Sequence, residues 1–323
     1  MRPEADPVEP VWIDGPGGAL FAILHRSLPE RAGGVCIVML NSGMQNRTGP
    51  EGLYATVARC LAAAGLTVLR VDLAGCGDSL ADNRQTHFDS HRPEEVDAVI
   101  RWVGDTLHPD VLILQGLCAG ARVALKAAAR NPLVDGVLAW STTIFTAVPG
   151  MPRSPEEPAD RLSQSVVSEN RMRLVRFVLE LKFLNPLWWK KRFGEVRTLA
   201  ADAREIGRSL VKSGRAPKAA GGRASFLEAV DRYLADGRNV LFLYGDHDRM
   251  SFNEFRERFP GVGADTSGHA SYALVANGGH TFSSRSTQQA VARLCQGWIG
   301  AHWPSAVPPP SAERPSVPSA NPG

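Results

Sequence analysis

Short runs of apolar, often β-branched residues recur along this chain and alternate with longer stretches that carry apolar residues at helical spacing. The runs lie at residues 34–40, 66–73, 111–117, 136–141, 239–245 and 271–277. The helical stretches lie at 51–64, 93–107, 119–130 and 284–300. Strands that alternate with helices in this way form parallel sheets buried on both faces. The sequence therefore predicts an α/β fold with a mostly parallel sheet, helices on both faces, and a hairpin near 10–27 that adds antiparallel edge strands.

A single long insertion interrupts the alternation, at residues 143–222. It opens with the Pro-rich stretch VPGMPRSPEEP and continues into amphipathic helical sequence. Such a segment either packs on the sheet domain or forms a lid over a site, and the sequence leaves both interpretations open. We predict a core built from residues 11–142 and 223–303, a helical cap at 143–222, and a disordered tail at 304–323, which is rich in Pro and Ser.

The cysteines and the apolar runs bear on metal binding and on location. The five cysteines are scattered, at Cys36, Cys60, Cys76, Cys118 and Cys295. None has C-x-x-C or zinc-like spacing, so we expect reduced thiols, no metal and no cofactor. The N-terminal MRPEADPVEP has no apolar signal region, and no apolar run approaches the roughly 20 residues that a membrane span needs. We therefore expect a cytoplasmic protein without a membrane span.

The sequence GLCAG, residues 116–120, follows the apolar run 111–117 and opens a helical stretch. Its spacing is that of the G-x-S-x-G nucleophile elbow with cysteine in place of serine, at the strand-to-helix junction where that motif occurs. The helix that begins at Ala119 points backbone N–H groups at the thiol, which lowers a thiol pKa and stabilises an oxyanion. We predict that Cys118 is a nucleophile; the alternative is a small residue at a buried strand end.

A nucleophile on such an elbow is followed along the chain by an acid and then by a histidine. His280, in NGGHTF, follows the last strand, and we predict that it is the base; His247 is its competitor. The loop YGDHDRMS offers Asp246 and Asp248, of which we favour Asp248 as the residue that orients the histidine. The sequence thus predicts a Cys118, Asp248 and His280 triad.

The oxyanion hole needs two backbone donors. We predict the N–H of Ala119 for the first and the N–H of Met44, in MLNSGMQNRTGP, for the second, since Gly43 permits close backbone approach. We place Ser42, Gly43 and Arg47 at the substrate. Arg47 suits a carboxylate or phosphate, with a purely structural arginine as an equal alternative. Cys76, in the turn DLAGCGDS, is interpreted as a filler of that turn and not as a second nucleophile.

These motifs resemble the α/β-hydrolase superfamily over residues 15–300. DLAGCGDS is similar to its D-x-x-G-x-G-x-S turn, GLCAG to its elbow, and GDHD and GGH to its acid and histidine segments. LNSGMQNRTGP together with GLCAGA is similar to the exosortase-associated hydrolases. The resemblance implies an α/β-hydrolase fold and the same catalytic positions. The cysteine departs from the superfamily pattern and puts ordinary esterase behaviour in doubt.

A cysteine nucleophile favours acyl chemistry on thioesters. A Cys–His pair can rest as thiolate and imidazolium, and the thiolate attacks thioesters well. The sequence therefore predicts acyl transfer or hydrolysis of an activated acyl thioester or ester. Hydrolysis of an ester or lactone is the alternative, and a non-catalytic binding protein with the same fold is a second one.

Positive charge is concentrated in one segment of the chain. The net charge is only +3, too small to indicate nucleic-acid binding by itself. Between Met151 and Arg238, 18 Lys and Arg stand against 11 Asp and Glu, an excess of 7 positive charges, so the rest of the chain carries −4. We expect this segment to receive a small-molecule acyl substrate carried on CoA or on an acidic carrier protein, and we expect no nucleic-acid partner.

Overall fold

The computed structural model describes residues 8–27, 33–80, 93–144, 220–263 and 268–307, without the side chains of 93 and 220–225. The predicted cap at 143–222 and tail at 304–323 lie almost wholly outside the described residues, so both stay predictions. No helix in the described ranges is long and apolar enough to cross a membrane.

One mixed sheet forms the centre of the described structure. Its eight strands are β1 (Val8–Gly15), β2 (Gly18–His25), β3 (Val35–Leu40), β4 (Thr67–Val71), β5 (Val111–Leu117), β6 (Gly136–Trp140), β7 (Asn239–Gly245) and β8 (Ala270–Val275). They lie in the order β1-β2-β4-β3-β5-β6-β7-β8. The hairpin β1–β2 joins β4 in antiparallel orientation, and every pair from β4 to β8 is parallel. The mostly parallel sheet and the edge hairpin are as predicted.

Six α-helices are described: α1 (Leu53–Ala63), α2 (Pro93–Leu107), α3 (Ala119–Ala128), α4 (Ala220–Ala235), α5 (Arg249–Arg258) and α6 (Arg285–His302). Apolar residues of α2, α3 and α4 share one buried cluster with one face of the sheet. Those of α1 and α6 share a second cluster with the other face. Every residue of β3, β5 and β6 is buried, as expected of central strands covered on both sides. The predicted α/β fold is confirmed.

The parallel strands bring their carboxyl ends to one edge of the sheet. The junction after β5, the turn after β6 and the loops after β7 and β8 all lie along that edge, on neighbouring strands. The short helix α5, which the sequence analysis did not predict, begins directly after the loop that follows β7. Ligand sites of open α/β sheets form at this edge, and it holds the predicted triad residues.

Candidate active site

Cys118 sits in a strained backbone conformation between β5 and α3. Its φ of 56° and ψ of −113° lie in a region that residues with a side chain rarely adopt. The Cys118 N–H donates to the carbonyl of Trp140, the last residue of β6, at 2.8 Å. The backbone therefore reverses sharply at the cysteine, which is the geometry of a nucleophile elbow.

The flanking glycines are required by close backbone contacts. A Cβ at Gly116 would lie 2.1 Å from the carbonyl carbon of Gly120, and a Cβ at Gly120 would lie 2.4 Å from the carbonyl oxygen of Asn41. Neither neighbour is a flexible side chain that could move aside. The two glycines thus let α3 start immediately under the loop that follows β3.

His280 and Asp248 form a hydrogen-bonded pair contributed by the loops after β8 and β7. The Nδ1 atom of His280 lies 2.7 Å from Oδ2 of Asp248. The Asp248 side chain is only 8% exposed, whereas that of His280 is 36% exposed. The carboxylate is therefore held inside the protein, and the imidazole lies at the boundary with solvent with its Nε2 nitrogen directed away from Asp248.

The three predicted triad residues shift one another's pKa values. Burial raises the pKa of the Cys118 thiol, but the hydrogen bond and charge of His280, with help from Thr143 and the Ala119 N–H, bring it below its usual value. Hydrogen bonds to Asp248 and then to Cys118 raise the pKa of His280 to about 10, against the effect of burial. Burial also raises the pKa of Asp248, and its bond to His280 outweighs this and lowers it.

These shifts favour a thiolate beside an imidazolium. Below its pKa of about 10, His280 is protonated, and a thiol with a lowered pKa loses its proton more readily than an ordinary cysteine. Because the two groups titrate as a pair, each stabilises the charged form of the other. The arrangement can supply a ready nucleophile and a proton donor next to each other.

The loop after β3 carries the predicted second oxyanion donor. Ser42 accepts a hydrogen bond from the N–H of Gln45 at 3.2 Å, which closes a tight turn around Gly43 and Met44. Gly43 has a φ of 60°, and a Cβ there would meet no atom within 4 Å. The glycine therefore serves a left-handed backbone, and its role in close approach at the oxyanion hole stays a prediction. Within the described residues the Met44 N–H donates no hydrogen bond, and the Met44 side chain is 62% exposed.

Arg47 is bound on both sides by carboxylates. Its guanidinium contacts Asp72, which is fully buried, and reaches Oδ2 of Asp78 at 2.7 Å. The backbone N–H of Arg47 donates to Oδ1 of Asp72 at 2.6 Å, and the guanidinium lies 4.3 Å from the centre of the Phe21 ring. This arrangement favours the structural alternative for Arg47 over contact with substrate. Cys76 is also buried, with its thiol 3.9 Å from the Gly43 carbonyl, which agrees with a filler of the turn.

Asp246 and His247, the alternative candidates for the acid and the base, form hydrogen bonds with the loop after β8. Asp246 accepts a hydrogen bond from the N–H of Gly278 at 3.1 Å, and the His247 N–H donates to the Gly278 carbonyl at 2.9 Å. The side chain of His247 is 67% exposed. Neither side chain contacts Cys118, and both residues tie the loop after β7 to the loop that carries His280.

The turn after β6 also contributes to the site, although no sequence motif indicated it. Ser141 is fully buried with a φ of 41°, and Thr143 lies beside Cys118 with 3.9 Å between its Oγ1 and the cysteine sulfur. Four of the six described non-glycine residues with positive φ lie after β5, β6 or β8: Cys118, Ser141, Asn277 and Phe282. Serine and threonine are common in loops, so the sequence here carried no signal. No cluster of three or more potential metal ligands occurs among the described residues.

The sequence matches a model of a known protein family. The model of the Alpha/beta hydrolase family matches residues 38–294, and the chain belongs to this family. The resemblance to the α/β-hydrolase superfamily is therefore confirmed, whereas the similarity to exosortase-associated hydrolases stays a prediction. No curated protein matches the chain.

Solved structures share the fold at low sequence identity. An alpha-beta serine hydrolase homologue from Coxiella burnetii is 16% identical, with a TM-score of 0.52 over 88% of this chain and 96% of that one. The Est1E protein from Butyrivibrio proteoclasticus, solved with ferulic acid, is 14% identical, with a TM-score of 0.56 over 90% and 99%. A thioesterase domain from the curacin biosynthetic pathway is 18% identical, with a TM-score of 0.52 over 90% and 99%.

Proposed function

We propose that the protein transfers or hydrolyses acyl groups through a covalent thioester on Cys118, with His280 as proton carrier and Asp248 as its orienting partner. The observation that carries the proposal is a strained, glycine-flanked cysteine that interacts with His280, whose Nδ1 lies 2.7 Å from the buried carboxylate of Asp248. The same edge of the sheet is where ligands of α/β proteins bind.

The other buried cysteines provide an internal comparison. Burial raises the pKa of Cys36 to about 12 and raises that of Cys295 further, as expected for thiols enclosed by apolar side chains. Cys118 is also largely enclosed, yet its pKa is lowered. If Cys118 only filled space at a strand end, burial should raise its pKa as it does for Cys36 and Cys295. This contrast supports the nucleophile over the structural interpretation.

The first chemical step forms the acyl-enzyme. The Cys118 thiolate attacks the acyl carbon of a thioester, and the carbonyl oxygen becomes an oxyanion facing the N–H groups of Ala119 and Met44. The oxyanion then collapses and the bond to the leaving sulfur breaks. The protonated Nε2 of His280 gives its proton to the departing thiolate, which leaves as a thiol, and Cys118 carries the acyl group as a new thioester.

The second step releases the acyl group. Water or another acceptor attacks the thioester carbon while its proton passes to Nε2 of His280, and the Cys118 sulfur leaves as the thiolate. The leaving group and the first nucleophile are of similar stability, so a thioester retains enough energy to acylate an alcohol, amine or thiol. Proximity of a bound acceptor can contribute about 7–11 kcal/mol. Transfer therefore competes with hydrolysis when an acceptor is held near His280.

The substrate class follows from charge and chemistry. A donor carried on CoA or on an acidic carrier protein suits the excess of 7 positive charges between residues 151 and 238. The solved structures named above include a serine hydrolase homologue and a thioesterase domain, and both are compatible with an acyl substrate. Hydrolysis of an oxygen ester or lactone is the second candidate, because the same acyl-enzyme would form from either substrate.

Mass spectrometry of the intact protein tests the proposal. The protein is incubated with a panel of acyl-CoA and acyl-carrier donors, and we expect a mass increase of one acyl group that maps to Cys118 and is absent from Cys118→Ala. Cys60→Ala is the matched control, because Cys60 is also a partly exposed free cysteine but lies on α1. An adduct on another cysteine, or no selective adduct with any donor or ester, would leave the fold with a non-catalytic role.

A further inference from the structure

The turn after β6 is held from two sides. The Tyr244 hydroxyl donates to the Thr142 carbonyl at 3.1 Å, and Nη1 of Arg122 donates to the Thr143 carbonyl at 3.2 Å. Ser141, which opens the turn, is buried with a φ of 41°. Residues other than glycine stay in this conformation only when the surrounding contacts enforce it, and such residues cluster at functional sites.

Arg122 is itself fixed in the protein interior. The side chain belongs to α3, the helix that begins directly after Cys118, and the residue is only 2% exposed. Its guanidinium lies 4.4 Å from the centre of the Phe226 ring of α4. Because the Arg122 side chain is already immobilised by burial and by packing on the aromatic ring, its hydrogen bond to the Thr143 carbonyl costs little additional conformational entropy. The backbone of Thr143 is therefore positioned by the same helix that positions the nucleophile.

We propose that Thr143 is a further catalytic residue, whose hydroxyl donates a hydrogen bond to the Cys118 thiolate. The Oγ1 atom of Thr143 lies 3.9 Å from the cysteine sulfur. A hydroxyl can donate or accept, but a thiolate can only accept, so the threonine is the donor when the cysteine is charged. This inference rests on the proposed function, because it assigns the residue to the thiolate used there.

The Thr143 hydroxyl, as a hydrogen-bond donor to the Cys118 sulfur in addition to His280, would act in both acylation and deacylation. Charge-assisted hydrogen bonds are the strong ones, so the contact is expected to tighten when the sulfur is charged. The sulfur is charged before acylation and again as it leaves during deacylation, and it is neutral in the acyl-enzyme. The proton stays on Thr143 throughout. Thr143 thus stabilises the thiolate as nucleophile and as leaving group, while His280 carries the proton that moves.

Among the described residues, hydrogen bonds to Cys118 come from three elements: the His280 imidazole after β8, the Thr143 hydroxyl after β6 and the Ala119 N–H of α3. The Tyr54 phenol of α1 interacts with Cys118 through charge, and its oxygen accepts the N–H of Leu117 at 2.9 Å. Burial keeps the Tyr54 pKa well above its usual value, so this phenol stays neutral. Thr143 does not titrate either. The pH dependence of the thiol is therefore governed by His280, and a neutral donor such as Thr143 shifts its position without adding a titration.

The test follows the rate of Cys118 alkylation by iodoacetamide against pH, in the wild type and in Thr143→Val, Thr143→Ser and Thr142→Val. This probe reports the thiolate and needs no substrate. We expect Thr143→Val to move the midpoint upward by about one pH unit, equivalent to about 1.4 kcal/mol, with Thr143→Ser restoring the wild-type midpoint. Thr142→Val makes the same change one residue away, and we expect no shift.

Each outcome bears on the inference. An unchanged midpoint in Thr143→Val overturns it, and so does an equal shift in Thr142→Val, because the effect would then come from packing of the turn. Should Thr143→Val fail to fold, as judged by its thermal melt, Thr143→Ala is measured instead with the same expected shift. The proposed function fails separately, when wild-type Cys118 shows no selective alkylation and no acyl adduct.

Discussion

Replacing Asp248 by asparagine removes the charge that holds the imidazole while keeping the size of the side chain. Hydrogen bonds to charged groups contribute about 1.5–3 kcal/mol, which is about 10- to 150-fold at 1.36 kcal/mol per factor of ten. The asparagine NH2 group can also face Nδ1 of His280, which forces the wrong tautomer; the same change in a serine triad lowers turnover about 10⁴-fold. We therefore expect Asp248→Asn to slow Cys118 acylation by a factor between these limits, about 10² to 10⁴.

Asp246→Asn is the matched control. The Asp246 side chain is 39% exposed and accepts the Gly278 N–H at 3.1 Å, a bond that the asparagine carbonyl oxygen can keep. Surface substitutions of this kind usually change stability by less than about 0.5 kcal/mol, so we expect at most about a twofold effect on rate. The comparison separates the charge that acts on His280 from the charge that ties two loops together.

The assay for this pair measures acyl-enzyme formation by mass spectrometry and thiolate formation by alkylation across pH. In Asp248→Asn the pKa of His280 should fall, because the hydrogen bond to the Asp248 carboxylate makes the largest contribution to its raised value. Melting temperatures of both variants check that the fold is intact. If Asp246→Asn were the slower variant, or if both variants acylated at the wild-type rate, the assignment of Asp248 would be wrong.

Two further predictions concern the site and the turn beside it, and a third concerns the basic segment 151–238. Activity should be highest between the lowered pKa of Cys118 and the pKa of about 10 of His280, since the thiolate is lost as pH falls and the proton donor as pH rises; a pH–rate profile with one limb only would contradict this. Gly120→Ala should destabilise the fold by about 1–3 kcal/mol in denaturant unfolding, because its Cβ would lie 2.4 Å from the Asn41 carbonyl oxygen, and an unchanged midpoint would refute the close approach. With a CoA-borne donor, KM should rise with salt if, as proposed, the basic segment 151–238 attracts the anionic donor; a KM that does not change with salt would contradict that role.

Much of the site was predictable because it depends on local sequence and chain order. The elbow is encoded by the two glycines around Cys118. Parallel strands bring the loops after β5, β7 and β8 to one edge of the sheet, and the insertion between β6 and β7 does not change this. Apolar runs located β5 at 111–117 and β7 at 239–245 with the bounds that the structure has. Asp248 and His280 then follow from their place after successive strands.

What the sequence did not predict depends on contacts between distant residues. Arg47 forms ion pairs with Asp72 and Asp78, about thirty residues away along the chain, and no local pattern indicated that pairing. Helix α5 was missed because it is ten residues long and rich in charged residues, with few apolar positions to show a period. Thr143 lies beside Cys118 only because the turn after β6 bends back, which Ser-Thr-Thr does not specify.

The distribution of backbone strain connects the fold to the proposed chemistry. A positive φ at a residue such as Cys118 or Ser141 costs on the order of 1–3 kcal/mol, and four of the six such described residues lie at the carboxyl edge of the sheet. The strands β5 and β6, which precede Cys118 and Ser141, are buried at every residue, so they can hold these two strained turns in place. Reacting groups that are already oriented need no reorganisation when charge develops on the substrate. The rigid sheet therefore stabilises a conformation that isolated turns would not adopt, and under the proposed function Cys118, His280 and Asp248 would be in position before substrate binds.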